Sequence, residues 1–443
     1  MILKVRIAIF SAVALSLISY ISIQHIINPV HVYQLIGYYI LAFGAYAVFL
    51  NPKLKLNIWQ LFIIGLVFRL IMFSQPTLSD DFYRFYWDGK LFIEGINPYS
   101  LTPKKLLGTE VYNIEIINES LYELLNSKEY YSVYPPLLQY VFGISAMLGK
   151  SLQGFVTVMS LFVLVAEIGT FFLLKKLLEI FKLPLNKIGI YWLNPLTIME
   201  LCGNLHGEVF MILAVTAALY FYKTKKALLI GIALSIAVLT KLYPILFVPF
   251  FLIPYNLKVF IKTMAGLTFG ILLLALPILN LEYISNIVES VSLYYAKFEF
   301  NGSIYNLMKL VGYKISGYNQ IAVIGKILSV LTIAGFGVLY FLRLKSTSKF
   351  PITLSIYLGM LIFYLFSTTV MPWYLSLIVL LSIFNSSKVG LVWSALVVLS
   401  YTAFENIHFK EDSALVMIEY YTIAVIIFLE LRKYHRQRIF ESN

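Results

Sequence analysis

The residues best suited to chemistry in this 443-residue chain lie in one short acidic segment, Ser79-Asp80-Asp81-Phe82-Tyr83-Arg84-Phe85-Tyr86-Trp87-Asp88-Gly89-Lys90. If Ser79 caps a helix that ends near Gly95, the spacing i, i+3, i+7 puts Asp81, Arg84 and Asp88 on one face. Phe82, Phe85, Tyr86 and Phe92 then form an apolar face that can rest on a membrane surface. Carboxylates beside a guanidinium can accept a proton or steer an anion. The bland reading has equal weight on charge alone: acids in a first helical turn complement the helix dipole and pair with Arg84, worth ~0.3–1 kcal/mol with no function attached.

A second group follows the stretch Tyr191-Trp192-Leu193-Asn194-Pro195-Leu196. Glu200, Asn204 and Glu208 recur every fourth residue, with His206 between the last two. Glu208 falls inside an apolar run, where a charge costs ~2.5–3.5 kcal/mol and therefore faces a cavity or a partner. A buried interhelical hydrogen-bond network explains these residues equally well. His206 reads as a hydrogen-bonding residue, because neither HExxH nor any His-rich spacing supports a metal. Lys241, in Leu239-Thr240-Lys241-Leu242-Tyr243-Pro244, sits where two short apolar runs meet, and there it can snorkel or meet a phosphate.

The remaining candidates come from short motifs: Asn97 and Tyr99 in Gly95-Ile96-Asn97-Pro98-Tyr99, Tyr134 in Tyr134-Pro135-Pro136-Leu137, Asn301 in Asn301-Gly302-Ser303, and Trp373 and Tyr374 after Met371-Pro372. Trp and Tyr at helix ends also serve as plain interface anchors.

The elements that must position these residues are membrane helices. The chain is 60% hydrophobic and 13% charged, against about 45–50% and 25% in soluble domains, which excludes a cytosolic globular protein. The expected architecture is an all-α polytopic membrane protein with about 14 spans, at 5–24, 32–50, 57–74, 152–174, 188–203, 205–222, 227–240, 242–256, 259–279, 320–342, 351–368, 372–386, 389–404 and 415–431. Residues 1–443 form a single membrane domain, and the block 7–23 reads as a retained first helix. The formal net charge of +12 needs no nucleic acid, since cations gather on the cytoplasmic side of spans. With most Lys and Arg inside, both termini are cytoplasmic, and the long segments 75–151 and 280–319 face outward. Residues 134–149 are expected to form a helix against the outer membrane face. Cys202 is the single cysteine, so no internal disulfide forms.

In their order along residues 78–375, these motifs resemble the multi-span glycosyltransferases of the GT-C fold, especially bacterial polyprenyl-phosphate-mannose-dependent mannosyltransferases. The segment from Ser79 to Lys90 is the most specific part of the match. The resemblance implies inverting transfer of a hexose, mannose first, from a polyprenyl-phosphate sugar to the hydroxyl of a glycan or lipid-linked glycan on the outer face of a bacterial inner membrane. It implies Asp81 as the proton acceptor, three residues before Arg84, with Asp80 as the alternative. Arg84, Asp88, Asn97, Tyr99, Tyr134, Glu200, Asn204, His206, Glu208, Lys241, Asn301, Trp373 and Tyr374 are then expected to bind substrate. The leaving phosphate needs cations or dipoles, for which Lys241 is the first choice and Arg84 the second. No cofactor is expected; a divalent metal is possible but not favoured.

Two other readings use the same residues. In a transporter or flippase for a lipid-linked saccharide they would line a pathway, but the internal repeats and broken midplane helices common in such proteins are not visible in the sequence. A ligase or polymerase joining whole lipid-linked glycans is the third reading.

Overall fold

The computed structural model describes residues 2–26, 31–73, 79–107, 119–253, 256–385, 387–405 and 410–441. The protein is 78% helix, and among the described residues there is no strand, only an isolated bridge between Phe300 and Thr369.

Six helices among these residues are long and apolar enough to cross a membrane: Leu3–Gln24, Val32–Phe49, Leu152–Ile180, Leu257–Ala275, Ile321–Lys345 and Ser413–Lys433. A seventh span is reached if the bent pair Pro195–Gly203 and Glu208–Lys223, angled at 119°, counts as one. Fourteen full-length spans are therefore not confirmed. Three of the expected spans are 14-residue helices, Ile58–Ile71, Ala227–Thr240 and Ile352–Leu365, each about 21 Å long against a hydrocarbon core of about 30 Å. Others are divided: 242–256 into a 3-10 turn at Tyr243–Phe247 and the short helix Val248–Phe251, each with a proline in its first turn, and 372–386 into Pro372–Leu375 and Ser376–Ser382.

The segment expected at 75–151 carries the helices Asp81–Ile93, Pro103–Leu107, Glu119–Glu123 and Pro136–Gly149. Residues 75–78 and 108–118 of it lie outside the described residues. The segment 280–319 carries two helices, Leu281–Lys297 and Ile304–Ser316.

Packing runs in a chain from the acidic segment inward. Asp81–Ile93 packs on Pro136–Gly149, which packs on Leu152–Ile180 and touches Ala227–Thr240; Glu208–Lys223 lies against both of the latter helices. Gly89 allows the first contact, since a Cβ there would lie 2.5 Å from the Phe142 carbonyl oxygen. Deeper in, Ala227–Thr240 meets Leu257–Ala275 backbone to backbone: a Cβ on Gly231 would lie 2.0 Å from the Thr263 carbonyl oxygen. Close approach at small residues is how helices associate in lipid, where apolar burial gives no preference between protein and acyl chain.

A buried ion pair crosses the apolar interior. Arg69 donates to Glu167 Oε2 from Nη2 at 2.6 Å and from Nε at 3.0 Å, and its guanidinium lies 3.6 Å from the Trp192 ring centroid. The Tyr191 hydroxyl donates to the other Glu167 oxygen at 2.5 Å. A buried pair survives desolvation only when its remaining hydrogen-bonding groups are met, as they are here. The result ties Ile58–Ile71 and Leu152–Ile180 to the end of the short helix Gly189–Trp192, whose last carbonyl accepts from Arg69 Nη1 at 2.7 Å.

Candidate active site

The acidic helix begins one residue later than its sequence suggests. Asp80 is the residue before the first turn, and Ser79 contributes a 3.3 Å bond in which its hydroxyl accepts from the Asp81 backbone N–H. Arg84 and Asp88 share a face as expected, and Arg84 Nε donates to Asp88 Oδ1 at 2.8 Å. Arg84 does not turn to the acids of the first turn. Its Nη1 donates to the Ser127 carbonyl at 3.0 Å, the Ser127 hydroxyl at 3.2 Å and the Tyr130 carbonyl at 3.1 Å. Asp88 is fully buried, and its Oδ2 accepts from the Ser132 hydroxyl at 2.5 Å and from Gln139 Nε2 at 3.3 Å. These two residues hold the 127–134 loop against the helix.

Asp80 and Asp81 take a different partner. The Asn126 side-chain amide donates to Asp80 Oδ1 and to Asp81 Oδ1, both at 2.8 Å. The surrounding protein, more than the adjacent Asp81 charge, raises the Asp80 carboxyl above its usual range, while the Asn126 bond opposes that shift. Asp80 nonetheless keeps solvent contact at the lip of the site. Among the described residues no three His, Cys, Asp or Glu side chains are gathered as a metal set.

Asn97 and Tyr99 brace this assembly. Asn97 Oδ1 accepts from the Tyr99 N–H at 2.9 Å, and its amide donates to the Ile278 carbonyl at 2.7 Å. The buried Tyr99 hydroxyl donates to the Tyr134 carbonyl at 2.6 Å, and Asn286 donates to the Tyr99 carbonyl at 2.9 Å. The two long segments are thereby joined.

The second cluster is built on a broken helix. The regular four-residue repeat does not continue to Glu208, because residues Ile198–Gly203 form a π-helix, Leu205 takes φ +59° and the chain bends. Glu200 stays with its neighbours: Asn204 Nδ2 donates to Glu200 Oε2 at 3.1 Å, His206 Nε2 lies 3.5 Å from the same oxygen, and the Tyr401 hydroxyl donates to Oε1. His206 stacks on Trp373 with ring centroids 3.6 Å apart. Glu208, now the first residue of its helix, pairs with Lys241 at 2.7 Å. The Lys241 ammonium is partly exposed and sits 5.2 Å from the Tyr374 ring centroid.

Tyr134 feels the charges of both clusters. Burial pushes its hydroxyl well up; the charges of Asp81, Asp88 and Glu208 act in the same direction and Arg84 opposes them. Leu138 of the Pro136–Gly149 helix fills the space beside Gly207, one residue before Glu208. Asn301 joins through Trp373: the neighbouring Phe300 packs with Met371, Trp373 and Ala403. Asn301 itself donates from Nδ2 to Glu419 at 3.1 Å, and its carbonyl accepts from Tyr420 at 2.5 Å.

Several partners carried little signal in the sequence. Gln139 could have been found as an amide inside an apolar helix, and Glu419 as an acid inside the span Ser413–Lys433. Asn126 and Ser132 lie in irregular loop, where periodicity says nothing.

The family model for the alpha-(1->6)-mannopyranosyltransferase N-terminal domain matches residues 12–255. A search of curated proteins finds no match to the chain. The matched region contains Asp80, Asp81, Arg84, Asp88, Glu200, His206, Glu208 and Lys241, and stops before Asn301, Trp373 and Tyr374. It covers more than half of this helical membrane protein, which therefore belongs to the alpha-(1->6)-mannopyranosyltransferase family and is a glycosyltransferase that transfers mannose or a related hexose.

Proposed function

We propose that the protein transfers mannose, with inversion, from a polyprenyl-phosphate donor to an acceptor glycan hydroxyl at the extracytoplasmic face of a bacterial inner membrane. The observation that carries this reading is that the region matched by the family model holds both an acidic pair, fixed by Asn126, and a partly exposed lysine, Lys241, paired with Glu208. The first supplies a proton acceptor and the second a cation at a helix junction. Nucleotide sugars stay in the cytosol, so a transferase working outside needs a donor soluble in the membrane.

In this mechanism the acceptor oxygen gives its proton to Asp81 and forms a bond to C1 of the donor sugar. The bond from C1 to the phosphate oxygen breaks, and polyprenyl phosphate leaves with the electron pair. Formation of an alpha linkage by inversion requires a beta-linked donor. Lys241, partly exposed, meets the phosphate as a point charge. Arg84 is better read as a positioning residue than as a phosphate ligand, because it is buried and its contacts go to Asp88 and the 127–130 loop. Glu200, Asn204 and His206 hold the Trp373 ring beside the site.

The test is a donor screen with purified protein and radiolabelled hexoses. Transfer from polyprenyl-phosphate mannose, and none from a nucleotide-linked mannose, supports the reading; the reverse preference would overturn it.

A further inference from the structure

Beside the acidic pair the surface opens into a cleft of about 390 Å³, at the low end of the roughly 300–1,000 Å³ typical of small-molecule sites. Its walls include Tyr122, Asn126, Tyr130, Lys104, Lys128 and Glu129. Asn126 is both a wall of this cleft and the donor to Asp80 and Asp81. Arg84 fastens the same wall through the carbonyls of Ser127 and Tyr130. The contacts that hold the proton acceptor in place therefore also shape the cleft.

The chemistry of the lining selects a ligand class. Lys104 pairs with Glu129 at 2.6 Å and Lys128 with Glu123 at 2.7 Å, so carboxylates balance both cations. Such exposed pairs contribute little to stability, but they leave the cleft without the uncompensated charge that an anionic ligand would seek. Tyr130 is 41% exposed beside these paired groups. Aromatic faces carry partial negative charge and attract the partly positive C–H faces of a pyranose, while amide, carboxylate and ammonium groups meet its hydroxyls.

We propose that this cleft is the acceptor-side subsite, where a neutral, hydroxyl-rich sugar rests on Tyr130 and presents one hydroxyl past Asn126 to Asp81. The inference deepens the transferase reading and rests on it. It places the acceptor on the loop side of the acidic helix and the donor phosphate on the Lys241 side.

The experiment measures transfer to α-(1→6)-mannobiose by wild type and by Tyr130→Ala, an exposed position where truncation leaves no cavity in the core. Saturation-transfer NMR of the same disaccharide with each purified protein reads binding without turnover. The expected result is a rise in acceptor KM of at least tenfold with donor KM within twofold of wild type, and loss of the NMR contact. Acceptor KM should also change less than twofold between 50 and 500 mM NaCl, roughly the span over which screening removes attraction between exposed charges. An unchanged acceptor KM with retained NMR contact in Tyr130→Ala would overturn the proposal, and a steep salt dependence would overturn its neutral-ligand part. If wild type transfers from no polyprenyl-phosphate hexose, the function reading fails instead, and the NMR comparison still decides whether the cleft binds the sugar.

Discussion

Asn126 reaches from a loop to donate its side-chain amide to the carboxylates of Asp80 and Asp81, each at 2.8 Å. Two adjacent acids repel one another, and a shared donor holds both in a defined orientation. Asn126→Ala removes that donor while leaving both acids. Transfer should fall by about 10-fold to 100-fold, as expected when a reacting group loses its alignment, and added Mg²⁺ should not restore it. Recovery with Mg²⁺ would mean that the acids gather a metal.

The raised Asp80 carboxyl makes a prediction about pH. A carboxyl that holds its proton more tightly in the folded state binds more protons folded than unfolded, between its ordinary and its raised pKa. Its contribution favours folding below that window and is lost as pH rises through it. Asp80→Asn keeps an acceptor for Asn126 and removes the titration. Its melting temperature in detergent should match wild type near pH 3 and exceed it near pH 7. A lower melting temperature near pH 7 would contradict the assigned direction.

Glu208 begins one helix of a hairpin, Glu208–Lys223, and Lys241 follows the end of the other, Ala227–Thr240, so the two meet at the open end and pair at 2.7 Å. Removing one partner of a buried pair costs about 3–5 kcal/mol, and less here because the ammonium is partly exposed. Lys241→Ala should raise donor KM and lower stability together. The double variant Lys241→Ala with Glu208→Gln should recover the stability and keep the raised donor KM. If donor KM returns to the wild-type value, the lysine acts only through the fold.

Orientation has its own check. Cys202 is buried, so a cysteine placed on the surface reports without strong background. If the segment 75–151 faces outward and the end of Ile321–Lys345 inward, a membrane-impermeant maleimide on intact cells should label Glu119→Cys and not Lys345→Cys. The opposite pattern would reverse the topology and remove the extracytoplasmic mechanism.

What could be read from the sequence is what depends on local periodicity. Arg84 and Asp88 stand one turn apart on a single helix, so their pairing follows from the 3.6-residue repeat. The parting of Glu208 from Glu200 and Asn204 does not, because it depends on the π-helix, the left-handed Leu205 and a 119° bend that no spacing rule anticipates. Apolar content marked the membrane helices, but not the divisions near Pro244 and Pro249 or within 372–386, and the expected spans there became shorter pieces. Asn126, Ser127 and Ser132, which hold Asp81, Arg84 and Asp88 in place, come from loop without a pattern. Contacts of that kind become visible only once the chain has folded.

The central claim is that Asp81 accepts the acceptor's proton, and Asp81→Asn tests it most directly because the change keeps shape and hydrogen bonding while removing basicity. Initial rates of mannose transfer from polyprenyl-phosphate mannose should fall by ~10²–10⁴-fold, the usual contribution of a positioned base, with the melting temperature and donor KM close to wild type. Full activity in Asp81→Asn, with loss of transfer in Asp80→Asn, would contradict the assignment and move the base one residue toward the N-terminus.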